Sequence, residues 1–126
     1  MATQLKQNSR YSEAEWTARQ ELAACYRIFA MMGWDERIFN HITVKLDDQE
    51  GAFLINPYGM HFSEVTASSL VKIDIDGNKL DEHNPWHVNK AGFVQHSLFH
   101  RTLPDAHAII HTHTTATVAV CSLEGG

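Results

Sequence analysis

Two β-branched and aromatic stretches, RIFNHITVKL at 37–46 and GAFLINP at 51–57, are separated by the acidic turn DDQEG. So short a polar connection can only fold the second stretch back along the first, because a parallel return needs a dozen or more residues. The pair therefore predicts an antiparallel hairpin or meander. EVTASSLVKIDIDGN follows with a short polar turn, a strand through Val71, Ile73 and Ile75, and a tight turn at Asp76-Gly77.

Helical signals flank this meander. Ser12 with Glu15 three residues later makes a capping box, and Trp16, Leu22, Ala23, Tyr26, Phe29 and Ala30 follow at helical spacing until Gly33. Residues 78–89 are polar with a proline and read as a loop. A second helix is expected from Lys90 to Thr102 with Asn89 as its cap, and DAHAIIHTH reads as a strand after Pro104. The sum is one α/β domain over residues 1–126, with α and β elements around a single, mostly antiparallel sheet.

Composition narrows the function classes. Apolar residues make up 44% and charged residues 20%, which places the chain among globular proteins rather than disordered or membrane ones. A net charge of -5 without a basic cluster offers no footprint for nucleic acid or anionic lipid. The first residues, MATQLKQNSRYSEAEW, lack the apolar core of a secretory signal, and Cys25 and Cys121 are too few for a disulfide framework. A cytoplasmic location and two buried packing cysteines are the expectation.

The 9 histidines are the groups that can bind metal or titrate near neutrality. In AHAIIHTHTTATVAV, strand alternation puts His107, Ile109, His111 and His113 on one face, with the last two Cα atoms roughly 6.6 Å apart at the usual rise. Two imidazoles can converge on one divalent ion from there, although this short spacing also arises by chance, and a catalytic zinc takes three protein ligands and an open position. His96 and His100 lie at i, i+4 with Gly92 on the same helix face, either a metal-capable spacing or one buried and one exposed ring. His41 and His61 fall on strands or turns, His83 and His87 in the polar loop. Glu64 is the carboxylate nearest the meander, and Ser63-Glu64 can equally cap the turn at 66–69.

Together, LPDAHAIIHTHTTATVAV, NKAGFVQHSLFHRT, INPYGMHFSEVTASSLVKIDIDG and FNHITVKL resemble the class II aldolase/adducin superfamily over residues 16–122, most closely its adducin-like branch. The resemblance implies a three-layer α/β/α domain with a central, mostly antiparallel sheet, usually tetrameric with sites between subunits. It also implies a divalent metal, zinc first, held by His111 and His113 and a third histidine that polarises a ketose carbonyl. That third histidine would lie beyond Gly126, with His96 the alternative, since the 126 residues match the family's N-terminal part without its C-terminal portion. Aldolases of the family carry a Ser-Ser-Glu motif four residues before a helical histidine. Aligned on His96, those positions are Lys90, Ala91 and Gly92, so the usual catalytic glutamate is absent and the catalytic residue stays unassigned. The phosphate-binding positions become Asn40-His41, Thr43-Val44-Lys45 and Asn56-Pro57-Tyr58-Gly59. Two functions follow as expectations: a lyase-type or related carbonyl-chemistry enzyme on a small hydroxy-carbonyl substrate, working as a homo-oligomer, or a non-catalytic adducin-like binding and oligomerisation domain.

Overall fold

A computed structural model describes residues 10–36 and 38–125. Residues 1–9 of the N-terminal stretch that lacks a signal core lie outside the described residues, as does Arg37 at the start of the first β-rich stretch. Helix α1 (Glu13–Met31) is followed by strands β1 (His41–Lys45), β2 (Phe53–Ile55) and β3 (Val71–Ile73), helix α2 (Lys90–Thr102), strand β4 (Ala108–His111) and helix α3 (Thr115–Cys121). A single 3-10 turn, Phe62–Glu64, lies between β2 and β3. None of the helices is long and apolar enough to cross a membrane among the described residues.

The strands form one antiparallel sheet in the order β3-β2-β1-β4. Period-two alternation sorts its side chains onto two faces. Ile42 and Leu54 turn to one side and pack with Leu22, Ala23 and Tyr26 of α1, together with Phe62, Val65 and Leu70. Phe53, Ile55, Val71 and Ile73 turn to the other and meet Phe93 of α2. Helix, sheet and helix therefore stack as three layers.

Helix α2 has the bounds its sequence predicts, because the Asn89 side chain accepts from the Gly92 amide and Pro104 follows closely. At α1 the prediction holds in part. Ser12 Oγ accepts from the Glu15 amide at 3.0 Å. The Glu15 side chain, however, does not reach back to complete a capping box. It is buried, receiving Arg19 Nε at 2.9 Å, Lys72 Nζ at 2.8 Å and Gln49 Nε2 at 2.8 Å. Arg19 is itself buried, donating to the Leu70 carbonyl at 2.7 Å and stacking 4.0 Å from the Tyr11 ring centre. This cluster ties α1 to β3 and to the β1–β2 turn.

Tyr26 provides a second tie. Its hydroxyl donates to the Ile42 carbonyl at 2.6 Å and accepts from the Ile42 amide at 2.8 Å, with Asn56 Oδ1 at 2.9 Å. In the Asp74–Asn78 turn, Asp74 Oδ1 accepts from the Asp76 and Asn78 amides, and Gly77 takes φ 76°, which suits a residue without Cβ.

One expectation changes. Cys25 packs against the α1 core, but Cys121 is exposed on α3. The stretch after the His-x-His pair forms that helix although its β-branched residues disfavour it, with Thr114 Oγ1 accepting from the Thr117 amide to start it.

Candidate functional site

The α2-facing side of β1 carries His41 and Thr43, two residues apart, and antiparallel register sets His41 directly opposite His111 and Thr43 opposite Ile109. Helix α2 lays His96 and His100, one turn apart, over the same face. Five imidazoles thereby gather at the β1–β4 end of the sheet. The His41 ring centre lies 4.3 Å from that of His96 and 5.0 Å from that of His111, and His111 lies 4.8 Å from His113.

His111 Nε2 and His113 Nε2 approach to 2.8 Å. Strand β4 ends at His111, so His113 meets its neighbour from the turn that follows rather than from the strand. His107 precedes the strand and pairs with Asp47, Nδ1 to Oδ1 3.3 Å. Two nitrogens on one tetrahedral zinc, each about 2.0–2.1 Å from it, stand about 3.3 Å apart. At 2.8 Å the two nitrogens are in hydrogen-bond contact, so holding one ion would require them to part by about half an ångström. Among the described residues no three His, Cys, Asp or Glu side chains are grouped to hold an ion, so neither His96 nor another residue completes the set.

Behind this pair the polar chemistry is tightly organised. Thr43 Oγ1 lies 2.7 Å from His96 Nδ1 and 2.9 Å from His100 Nε2, and His100 Nδ1 lies 3.0 Å from the Ala106 carbonyl. Both rings are buried, correcting the expectation that one of the helical histidines would be exposed. Burial, with neighbouring imidazoles adding to it, pulls the His96 pKa down to about 3. Burial likewise lowers His100 to about 4, against the opposing pull of the Ala106 carbonyl. His41 and His111 are lowered too, first by burial and then by the adjacent histidine.

His41 is 8% exposed, and its Nε2 is buried without a hydrogen-bond partner. Gly92, where the aldolase glutamate would stand, faces this ring. A Cβ at that position would lie 3.2 Å from His41 Cε1 and 3.2 Å from Asn89 Nδ2, so the imidazole occupies space a side chain at 92 would enter.

The remaining candidates lie elsewhere or are locally engaged. The His61 side chain accepts from the Ser63 amide, its backbone N–H donates to Glu64 Oε2 at 3.3 Å, and its ring pairs with Asp35 at 2.9 Å. Glu64 thus caps the 3-10 turn. His83 and His87 are exposed in the loop before α2. The hydroxyl shared by His96 and His100 has no local sequence signal, because Thr43 reaches them only across the fold.

Known proteins match this chain and this fold. The profile of the family described as Class II Aldolase and Adducin N-terminal domain matches residues 20–126. The chain belongs to that family. A Caulobacter vibrioides protein carrying a class 2 aldolase designation is 51% identical over 115 residues, covering 91% of this chain and 44% of that protein. Rat alpha-adducin is 43% identical over 117 residues, 92% of this chain and 16% of its own. The solved structure of an L-fuculose 1-phosphate aldolase from Glaciozyma antarctica superposes with TM-score 0.78 at 32% identity, covering 95% of this chain and 49% of that one. The chain thus spans less than half the length of these relatives. The α/β aldolase-type fold expected from the sequence is the one observed.

Proposed function

We propose that this family member is a divalent-metal-dependent enzyme of the aldolase type, a lyase or a related carbonyl-chemistry enzyme, acting on a small hydroxy-carbonyl compound. The observation that carries the reading is the convergence of His111 Nε2 and His113 Nε2. These residues would hold the metal, with zinc the first expectation, since neutral imidazole suits it. A bound metal would supply Lewis-acid polarisation of a carbonyl oxygen. Lowered pKa values keep the His111 ring in its neutral, ligating form at neutral pH. Self-association and a cytoplasmic setting belong to the same proposal, and the half-exposed Ile110, Val118 and Val120 on β4 and α3 support the former.

Elemental analysis of the purified chain after dialysis against zinc tests the metal assignment. Wild type should retain ion that His111→Ala/His113→Ala has lost, and equal content in the two would refute the assignment.

Phosphorylated ketoses fit poorly. The hydroxyl of Thr43 is held between two histidines, Lys45 Nζ donates to the Pro104 carbonyl at 3.1 Å, and the Asn56 side chain is held by Tyr26 and the Pro57 carbonyl. Gly92 provides no proton carrier, and loss of a positioned acid/base costs about 10²- to 10⁴-fold. Cleavage of fuculose or ribulose 1-phosphate should accordingly run at least about a hundredfold below ordinary aldolase rates, measured by coupled assay of the released aldehyde.

A non-catalytic adducin-like role is the second reading, favoured by that same glycine and by the 43% identity to rat alpha-adducin. Metal retention without turnover on any hydroxy-carbonyl compound would favour it.

A further inference from the structure

Strand β1 is bound unequally on its two sides. It pairs with β4 from Val44 opposite Ala108 to His41 opposite His111, but with β2 only at Val44–Leu54 and Lys45–Phe53. Carrying the β2 register two residues further sets Ile42 opposite Asn56, and there the Tyr26 hydroxyl stands in place of the rung. It accepts from the Ile42 amide at 2.8 Å and the Asn56 amide at 3.3 Å, and its single proton is shared between the Ile42 carbonyl at 2.6 Å and Asn56 Oδ1 at 2.9 Å. Buried backbone groups need partners, and one side chain from α1 supplies them to both strands. Tyr26 is fully buried, and burial pushes its phenol pKa above the usual range, so the hydroxyl stays neutral and can both donate and accept.

Beyond Val44 the strand therefore follows β4 and parts from β2. His41, next to Ile42, is carried on this β1–β4 arm, with His111 opposite it and His113 just past the end of β4. Helix α2 goes with the other strands, since Phe93 packs with Phe53, Ile55, Val71 and Ile73. The His41 ring fills the join between the two parts. Its centre lies 4.3 Å from that of His96 on α2 and 5.0 Å from that of His111 across the arm, and its Cε1 lies 3.2 Å from where a Cβ on Gly92 would stand.

We propose that Tyr26 is a positioning residue: by replacing one rung of the sheet, its hydroxyl fixes the β1–β4 arm against α2 and so sets the His111 ring through His41. The inference rests on the reading that His111 and His113 hold the metal. To take an ion those two rings must part, and His41, stacked on His111 and backed by α2, limits how His111 can turn. Without the hydroxyl, the Ile42 and Asn56 amides would be left to each other's carbonyls, the ordinary partners at this register. Closing that rung would draw the arm towards β2 and shift His41 along the face of α2.

Tyr26→Phe tests this, since it removes one oxygen and keeps a ring to pack edge-on against Phe62, 4.6 Å between centres. Leu22→Ala, in the same core cluster but without a polar side-chain atom, is the control for a general loss of packing. In the metal-free full chain, trans-hydrogen-bond couplings should show no Ile42–Asn56 rung in wild type or Leu22→Ala, and both should keep Overhauser contacts between the His41 and His96 rings. Tyr26→Phe should lose those ring contacts. Cobalt(II), the probe ion followed by its absorption, should bind Tyr26→Phe about tenfold more weakly than wild type, the scale on which groups behind a ligand act, while Leu22→Ala keeps the wild-type affinity. An Ile42–Asn56 rung in the wild type overturns the proposal without any variant, so a Tyr26→Phe chain that fails to fold does not shield it. Unchanged ring contacts or unchanged cobalt affinity in folded Tyr26→Phe, or equal losses in Leu22→Ala, overturn it too. A wild type that binds no cobalt strikes the metal reading instead, and the metal-free ring contacts still decide whether Tyr26 places His41.

Discussion

Glu15→Ala is expected to lower the stability of the fold by about 3–5 kcal/mol, the typical effect of removing one partner from a buried ion pair. The carboxylate accepts from three side chains on three different elements: Arg19 of α1, Lys72 of β3 and Gln49 of the β1–β2 turn. Arg19 is fully buried, and without Glu15 its guanidinium keeps only the Leu70 and Ala67 carbonyls and the Tyr11 ring. An uncompensated buried cation follows, with a cost out of proportion to the strength of any single contact. Since domains of this size are stable by about 5–15 kcal/mol, the substitution should consume a large part of the margin. Urea unfolding followed by circular dichroism measures it, and Glu15→Gln, which retains acceptor geometry without charge, should fall between wild type and alanine. A shift of less than about 1 kcal/mol, the range of an exposed pair, would show that the cluster behaves as a surface ion pair.

Much of the frame was legible because its signals are local. Asn89 and Pro104 bracket α2, the acidic turn fixes the β1–β2 return, and Asp76-Gly77 marks the end of the β3 stretch. Three features were not legible, each for a physical reason. The TATVAVC segment has residues that lose side-chain freedom in a helix, so its intrinsic preference runs against the α3 it forms. Ser12 and Glu15 have capping-box spacing, but burial against Arg19 and Lys72 satisfies the carboxylate better than the helix terminus would. The pairing of His41 with His111 joins positions seventy residues apart, and nothing in either strand encodes which residue lies opposite.

The candidate site divides along the same line. His111 and His113 could be singled out from their spacing, and Gly92 from alignment on His96, since both lie within short motifs. His41 could only be placed near the pocket. Its contact with Gly92, its unpartnered Nε2 and its position between His96 and His111 are products of the sheet register and of the α2 docking angle. The missing Cβ at Gly92 and the His41 ring set against it are thus one feature seen from two elements, and only the fold brings them together.

Stability should fall steeply as pH drops from about 6.5 towards 4. His96 and His100 have folded pKa values of about 3 and about 4, below the ordinary 6.5, because burial disfavours their charged forms. In this window the unfolded chain binds protons that the folded chain refuses, so the stability of the folded state rises with pH and is lost as pH falls. At 1.36 kcal/mol per pKa unit, each ring removes roughly 2 kcal/mol by pH 5. His41 and His111 are shifted the same way and add to the slope. Glu15 extends the loss at lower pH. Burial pushes its pKa up, but the hydrogen bonds from Gln49, Lys72 and Arg19 outweigh it and leave the value below 4.5, so its contribution, full above that point, disappears as the carboxylate protonates. Urea midpoints measured from pH 7.5 to 4.5 should therefore drop monotonically, with most of the change above pH 4.5 assigned to histidine. In His96→Gln/His100→Gln the slope over that interval should be reduced by about half or more, while the further loss through Glu15 persists below it. A flat wild-type profile between pH 7 and 5 would mean that the two rings bind protons equally in the folded and unfolded states, which their burial behind Thr43 and Phe53 does not allow.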